Sequence, residues 1–264
     1  AVSANDVILA DDIQHLKLTP ALNSNAAVTF TYTVQDAVGG TSAAVMTTNF
    51  AAVNDVPTWT TEATDVSGNE DTAITIGANV IADVESTSLS SMIISSTQSG
   101  TFTLGAGIGD LTFAAGDGTA DNTMTFSGTI ANINTAINSI TWTSAAHSNA
   151  DAVLTLVAND GSDNSATNSI TITVSAVNDL PTTTTPDAQS GTEDTAFTGY
   201  ATSDFPFTDV DGESITSITI TVVESSGTLE KSEDGSSYTA VSANDVILAD
   251  DIQHLKLTPA LNSN

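Results

Sequence analysis

Residues Ala1 to Asn25 read AVSANDVILADDIQHLKLTPALNSN, and residues Ala240 to Asn264 read the same, letter for letter. Identity over 25 residues at an offset of 239 has no chance origin. The chain is therefore read as one full period of a tandem array plus an overlap, and its parent is expected to hold at least two near-identical units stacked end to end. Whatever fold these residues adopt, both ends of the period must belong to the same kind of domain.

A second recurrence divides the period. Val53-Asn54-Asp55-Val56-Pro57 and Val177-Asn178-Asp179-Leu180-Pro181 share the phrase V-N-D-x-P, and an acidic pair with threonine follows each, Glu70-Asp71-Thr72 and Glu193-Asp194-Thr195. The two Asn lie 124 residues apart and the two Glu 123. A phrase that returns at about one domain length marks a domain junction. The expected division is a complete domain over residues 56–178, preceded by the C-terminal part of a second domain type over 1–55. The N-terminal part of that second type then occupies 179–264.

The elements within these domains read as β. Alternating apolar and polar residues run through Ala73–Ile76, Thr101–Leu104, Thr123–Phe126, Ser139–Thr143, Val153–Val157 and Ser169–Val174. Met92-Ile93-Ile94 is a weaker strand signal, an apolar run without alternation. With Gly, Asn and Asp clusters between them, these strands predict a two-sheet sandwich of immunoglobulin or cadherin type, repeated in a linear array. Two segments break the rhythm. Ile130, Ile133 and Ile137 have helical spacing, predicting a short helix over 129–137. Its counterpart is expected over 242–249, with Ser242 as N-cap. A hydrophobic content of 40% supports a core.

Charge narrows the partners. The chain has 32 acidic residues against three Lys and no Arg, a net charge of −29. Nucleic acid and anionic membrane surfaces need clustered Lys and Arg, so neither is expected as a partner. The acids cluster at repeated positions, which favours cation binding over a merely salt-adapted surface. With no Cys in the sequence, no disulfide can staple the domains. No apolar run is long enough for a membrane helix, so no membrane insertion is expected.

The second domain type resembles the bacterial cadherin-like repeats of giant type I-secreted (RTX-type) adhesins. The residues that carry the likeness are Phe207-Thr208-Asp209-Val210-Asp211-Gly212, Ser226-Gly227-Thr228-Leu229, Leu257-Thr258-Pro259-Ala260, Phe30–Asp36 and the closing V-N-D-x-P. The first type is similar to a sister version through Leu111-Thr112-Phe113, Gly116–Ala120, the Ile130–Ile137 segment and Val157–Gly161. The likeness covers essentially the whole chain. It implies an extracellular, calcium-stabilised stalk rather than a chemistry.

The residues make a case for metal on their own. Calcium takes about six to eight oxygens from carboxylates, amides and backbone carbonyls. Each junction offers the linker acids (Asn54 and Asp55; Asn178 and Asp179) and the acidic pair (Glu70 and Asp71; Glu193 and Asp194). It also offers an acidic turn, Asp83-Val84-Glu85 in one type and Asp209-Val210-Asp211-Gly212-Glu213 in the other. Asp36 and Asp160, at the ends of late strands, are further candidates. Converging carboxylates repel at about 1 kcal/mol per close pair even in water-like dielectric, which a divalent cation would reverse. The richer turn at 209–213 predicts the higher calcium occupancy. Asp-Gly is also ordinary turn chemistry, and Asp117, Asp121 and Asp234 are read as solvated turn residues.

Catalysis finds no footing. There is no G-x-S-x-G, H-E-x-x-H or phosphate-binding glycine loop, His15 and His254 are one repeat position, and His147 is read as a surface-loop histidine. The expected function is mechanical and non-enzymatic. The unit stiffens a stalk or surface and matrix fibre with calcium, and its partners are neighbouring repeats and head-to-tail copies of itself. The glycan or protein target belongs to a tip outside this chain. The competing reading is a glycan- or protein-binding sandwich module, for which only Trp59, Trp142 and three Tyr are available.

Overall fold

The computed structural model describes residues 1–223 and 226–261, so the last three residues of the overlap lie outside the described residues. The chain is all-β, with one short α-helix and a few 3₁₀ turns among the described residues. It divides into two units, residues 1–145 with 150–175, and residues 146–149 with 176–264.

The first unit opens on a hairpin, β1 (Val28–Gln35) and β2 (Thr41–Thr48), paired antiparallel along its full length. The sandwich follows with β3 (Thr58–Thr61), β4 (Val66–Asn69), β5 (Ile74–Thr75), β6 (Val80–Ala82), β7 (Ser88–Ser96), β8 (Gly100–Thr103), β9 (Thr112–Ala115) and β10 (Thr123–Thr129). Then come α1 (Ile130–Ile137), β11 (Thr141–Ser144), β12 (Ala152–Asn159) and β13 (Asn168–Ser175). One sheet has the order β4-β13-β12-β7-β10-β9, the other β5-β11-β8, and β3 pairs with β6. β12 and β13 alternate strictly, turning Ala152, Leu154, Leu156 and Ala158, and Asn168, Ile170, Ile172 and Val174, inward. Against them pack Trp142, Phe102 and Phe126, all buried. Each contributes about 1.5–3 kcal/mol on leaving water. Gly100 lets β8 close on β11, because a Cβ there would meet the Trp142 ring and the Thr143 carbonyl, both at 2.7 Å.

Met92-Ile93-Ile94, the weakest strand signal, lies in the centre of the large sheet. β7 faces Leu89, Met92 and Ile94 into the core, and a bulge against β10 between Phe126 and Gly128 explains why Leu89 and Met92 are three apart. The extra residue breaks the period of two. α1 falls where the isoleucine spacing places it. Thr129 Oγ1 accepts the Asn132 N–H at 3.2 Å as the N-cap, and Ile133, Ala136 and Ile137 are buried. The Asn134 side chain then accepts from the Ile81 N–H and donates to the Ile81 carbonyl, both at 2.9 Å, anchoring β6 on the helix.

The second unit holds β14 (Ser217–Ile220), β15 (Thr228–Lys231), β16 (Thr239–Ala240), β17 (Asp245–Leu248) and β18 (Lys256–Thr258). β14 pairs with β17, and β15 lies between β16 and β18. Its core is small among the described residues: Val241, Ile247, Ile252 and Leu255, against which Tyr200, Phe205 and Leu229 pack. The helix expected over 242–249 is absent. Ser242 instead opens a turn, its N–H donating to Asp245 Oδ2 at 3.0 Å and its carbonyl accepting the Asp245 N–H. Asp245–Leu248 then runs as strand β17 because β14 offers it a partner, and a 3₁₀ helix over Ala249–His254 follows.

The repeated 25 residues separate local from tertiary coding. Both copies form the same Ser–Asp turn and the same 3₁₀ helix, Ala10–His15 and Ala249–His254. Only the second copy continues into strands. Ile252 is buried there while Ile13 is 58% exposed. The turn and the 3₁₀ helix need only their own residues; the strands need partners.

Candidate metal sites

The first joint is set by one antiparallel pair. Thr58 lies opposite Ala82 in the β3–β6 ladder, so the linker before Thr58 meets the turn after Ala82. This brings Asn54 and Asp55 to Asp83 and Glu85. The Asp55 N–H donates to Glu85 Oε2 at 3.2 Å. Asp83 Oδ1 accepts the N–H groups of Glu85 at 3.0 Å and Ser86 at 2.6 Å. Its Oδ2 is buried without a hydrogen-bond partner. A third segment arrives from the end of β12. Asn54 Nδ2 donates to Asp160 Oδ2 at 2.9 Å and to Asp163 Oδ2 at 3.2 Å. Asp160 Oδ1 accepts from the Ser162 and Asp163 N–H groups at 2.6 and 2.8 Å.

The electrostatics follow from this crowding. Partial desolvation at the joint pushes the Glu85 carboxyl above its ordinary range. The Asp55 N–H opposes this, and the neighbouring Asp55 and Asp83 carboxylates add to it. Asp160 is held below the usual carboxylate range by the Asp163 and Ser162 N–H groups and then by the Asn54 amide. Asp163 was not among the expected ligands; the D-G-S-D spacing of residues 160–163 is the signal that points to it.

The second joint repeats the design. Thr182 and Thr208 exchange both backbone hydrogen bonds, bringing the linker before Thr182 to the turn after Thr208. The Asp179 N–H donates to Asp211 Oδ2 at 2.7 Å, as Asp55 does to Glu85, and the Asp211 N–H donates to Asp209 Oδ1 at 2.9 Å, as Glu85 does to Asp83. Asn178 Nδ2 donates to the Asp179 carbonyl at 2.8 Å. His147, read from sequence as a surface-loop residue, has its Nδ1 2.7 Å from Asp179 Oδ2. Glu213 is exposed beyond the turn. Hydrogen bonds link five carboxylates from three segments at the first joint, and three acids plus this histidine at the second.

The acidic pairs do not lie where the linkers suggested. β4 runs parallel to β13, placing Asn69 beside Ser175, and the Glu70 N–H donates to the Ser175 carbonyl at 3.0 Å. Glu70 and Asp71 thus sit at the end of the sandwich where β13 finishes, opposite the end where β12 delivers Asp160 to Asn54 and Asp55. Glu70 is buried, and the Asp71 N–H donates to Ser144 Oγ at 3.1 Å. Glu193 and Asp194 occupy the matching turn of the second unit, with φ of 56° at both Asp71 and Asp194. That turn leads into Phe197, which pairs with Leu257, rather than into the Thr182–Thr208 bridge. Asp36 closes the β1–β2 turn, accepting from the Val38 and Gly40 N–H groups at 3.0 and 2.7 Å. Asp121 and Asp234 are turn caps of the same kind. Asp121 Oδ2 accepts from Asp117 and Gly118, and Asp234 Oδ1 from Ser236 and Ser237.

No protein-family model matches the chain, and no curated protein does either. Among solved structures, domains 4–9 of the surface layer protein SbsC align with 89% of the chain at 11% identity and a TM-score of 0.24. The SGBP-B protein of the Bacteroides ovatus mixed-linkage glucan utilization locus, solved with a mixed-linkage heptasaccharide, aligns with 89% at 13% identity and a TM-score of 0.18. The alignments span 31% of the first protein's chain and 56% of the second's. Overlaps this loose bear on neither fold nor function. No helix among the described residues is long and apolar enough to cross a membrane.

Proposed function

We propose that the chain is a structural repeat of an extracellular, calcium-stabilised adhesin stalk or fibre, with no catalytic role of its own. The observation that carries this reading is the first joint, where hydrogen bonds link five acidic residues from three segments and one of them, Asp83, holds a buried oxygen without a hydrogen-bond partner. An orphaned buried acceptor costs free energy unless something fills it. The donor set is oxygen only (Asp55, Asp83, Glu85, Asp160, Asp163 and the Asn54 amide), which fits a hard divalent cation rather than a thiophilic one. Bound calcium would supply the positive charge that these carboxylates lack.

The remaining work belongs to the chain. β3 and β6 hold the linker against the acid turn, and Asn134 of α1 fixes Ile81 just before it. The Asp160 turn comes from the end of β12, an interior strand of the large sheet. A linker held against two rigid turns cannot swing freely, and that stiffness is what a stalk requires. With few Lys and no Arg to balance 32 acids, the calcium-free chain repels itself, which favours a loose state where calcium is scarce and a compact one where it is abundant. Isothermal titration of the calcium-free chain with calcium and with magnesium tests the reading. Saturable calcium binding is expected, weakened about a hundredfold at one site by Asp83→Asn; binding unchanged by that substitution removes the first joint from the account.

A further inference from the structure

We infer that the β1–β2 hairpin is the strand pair that completes the sandwich of a second-type unit, so that the hairpin of one repeat docks into the second unit of the repeat before it and separate copies of this chain associate in the same way. The hairpin has an apolar face that is left exposed among the described residues. Phe30, Tyr32 and Val34 point the same way along β1, with Met46 opposite Phe30 on β2, and their exposures are 44, 38, 55 and 46%. In the second unit the corresponding place is open among the described residues. β14 pairs with β17 on one edge and, among the described residues, with no strand on the other.

The first unit shows what belongs there. Its β7 is flanked by β10 on one side and by β12 of the β12–β13 hairpin on the other. Ile218 faces Ile247 across β14–β17 as Met92 faces Phe126 across β7–β10, so β14 matches β7 and β17 matches β10. The hairpins match in turn. Each ends just before a V-N-D-x-P linker, and counting back from it sets Phe30, Tyr32, Val34 and Met46 at the places of Leu154, Leu156, Ala158 and Ile170. All four of those residues are buried.

The repeat then identifies the occupant. The second unit ends in the same 25 residues that directly precede the hairpin in the first copy, so a second-type domain is one in which this hairpin follows Leu257. Two segments of this sequence carry the two halves of one sandwich.

The register can be read across from β12–β7, in which Leu156 faces Ile94 and Ala158 faces Met92. It sets Tyr32 opposite Ile220, Val34 opposite Ile218 and Thr33 opposite Thr219, antiparallel. β2 would lie parallel to residues 189–191, as β13 lies against β4. Phe50, at the place of Val174, would then enter a 260 Å³ cavity lined by Gln189, Gly191, Phe197, Tyr200 and Leu257. Because the donating and accepting surfaces differ, the association does not close and grows as a head-to-tail chain. It does not rest on the metal reading.

The test uses the 264-residue chain, which has no native cysteine. Sedimentation velocity over a concentration series, with and without chelator, should give multiples of the monomer mass. Val34→Asp, which places a charge at the new interface, should weaken association by about a hundredfold or more. Thr33→Cys and Thr219→Cys chains, mixed under mild oxidation, should form a mixed disulfide. Thr29→Cys, displaced from Thr33 by about 13 Å along the strand, should form none with Thr219→Cys, because a disulfide needs Cα atoms within about 7 Å. A chain that stays monomeric at every concentration overturns the inference. So does mixed-disulfide formation that is equal from Thr29→Cys and Thr33→Cys, or a monomeric double variant that closes its own disulfide.

Discussion

Replacing Asp83 with Asn separates a metal joint from an ordinary turn, because the two accounts predict different signs. Asp83 Oδ1 accepts two backbone N–H groups and shapes the turn, and the Asn carbonyl retains that role. Its Oδ2 is buried and unpartnered, and the substitution turns it into an uncharged amide donor near the Glu85 carboxylate. Without calcium the variant therefore loses one crowded charge and gains a donor, and its melting temperature should match or exceed that of the parent. With calcium the order reverses. Free ion at 100 times the dissociation constant stabilises the parent by about 2.7 kcal/mol, whereas a variant binding about a hundredfold more weakly gains only about 0.4 kcal/mol. The difference of roughly 2.3 kcal/mol corresponds to a melting temperature lower by about 9 °C for a domain of this size. Calorimetric melts of both proteins in chelator and in millimolar calcium read the outcome. A shift of the same sign and size under both conditions would refute the reasoning.

The duplicated segment offers a matched pair: Ile252→Ala should cost about 2–4 kcal/mol in urea denaturation and Ile13→Ala less than about 0.5, because the same residue is buried in one copy and exposed in the other. Asp245 is held below the usual carboxylate range by the Ser242 N–H and by Lys231, 3.0 Å away, so its contribution is present above its unfolded pKa and lost as pH falls through the lower folded value. Urea midpoints measured from pH 5.5 down to pH 2.5 should decline more gently in Asp245→Asn than in the parent. Asp121→Ala should destabilise the first unit by about 1–2 kcal/mol by leaving the Asp117 and Gly118 N–H groups without their acceptor, while calcium affinity stays unchanged in titration calorimetry.

The β character of the chain was legible because half-buried strands alternate, as β12 and β13 do without interruption. The central strand β7 was faint for the opposite reason: a bulge disturbs its period where Leu89 and Met92 both turn inward. Ser242–Ala249 carried apolar spacing and a capping residue suited to a helix, yet Val246 and Ile247 pair with β14, a long-range contact that no local pattern records. The joints were legible in kind and misplaced in detail. Asn54, Asp55, Asp83, Glu85 and Asp160 come together as the linker spacing suggested. Glu70 and Asp71 do not join them, because β4 is the parallel edge strand of the large sheet and carries its acids to the opposite end. Chain order cannot distinguish a parallel neighbour from an antiparallel one, so an acid sixteen residues after Asn54 seemed close to it when the strand direction had taken it away.

The most direct test of the calcium-stabilised joint is the thermal melt of the unaltered chain, read once in chelator and once at free calcium about a hundredfold above the measured dissociation constant. The account predicts that calcium raises the transition of the first unit by roughly 10 °C, from about 2.7 kcal/mol of linkage at one site. Superimposable melts at all calcium concentrations would contradict it.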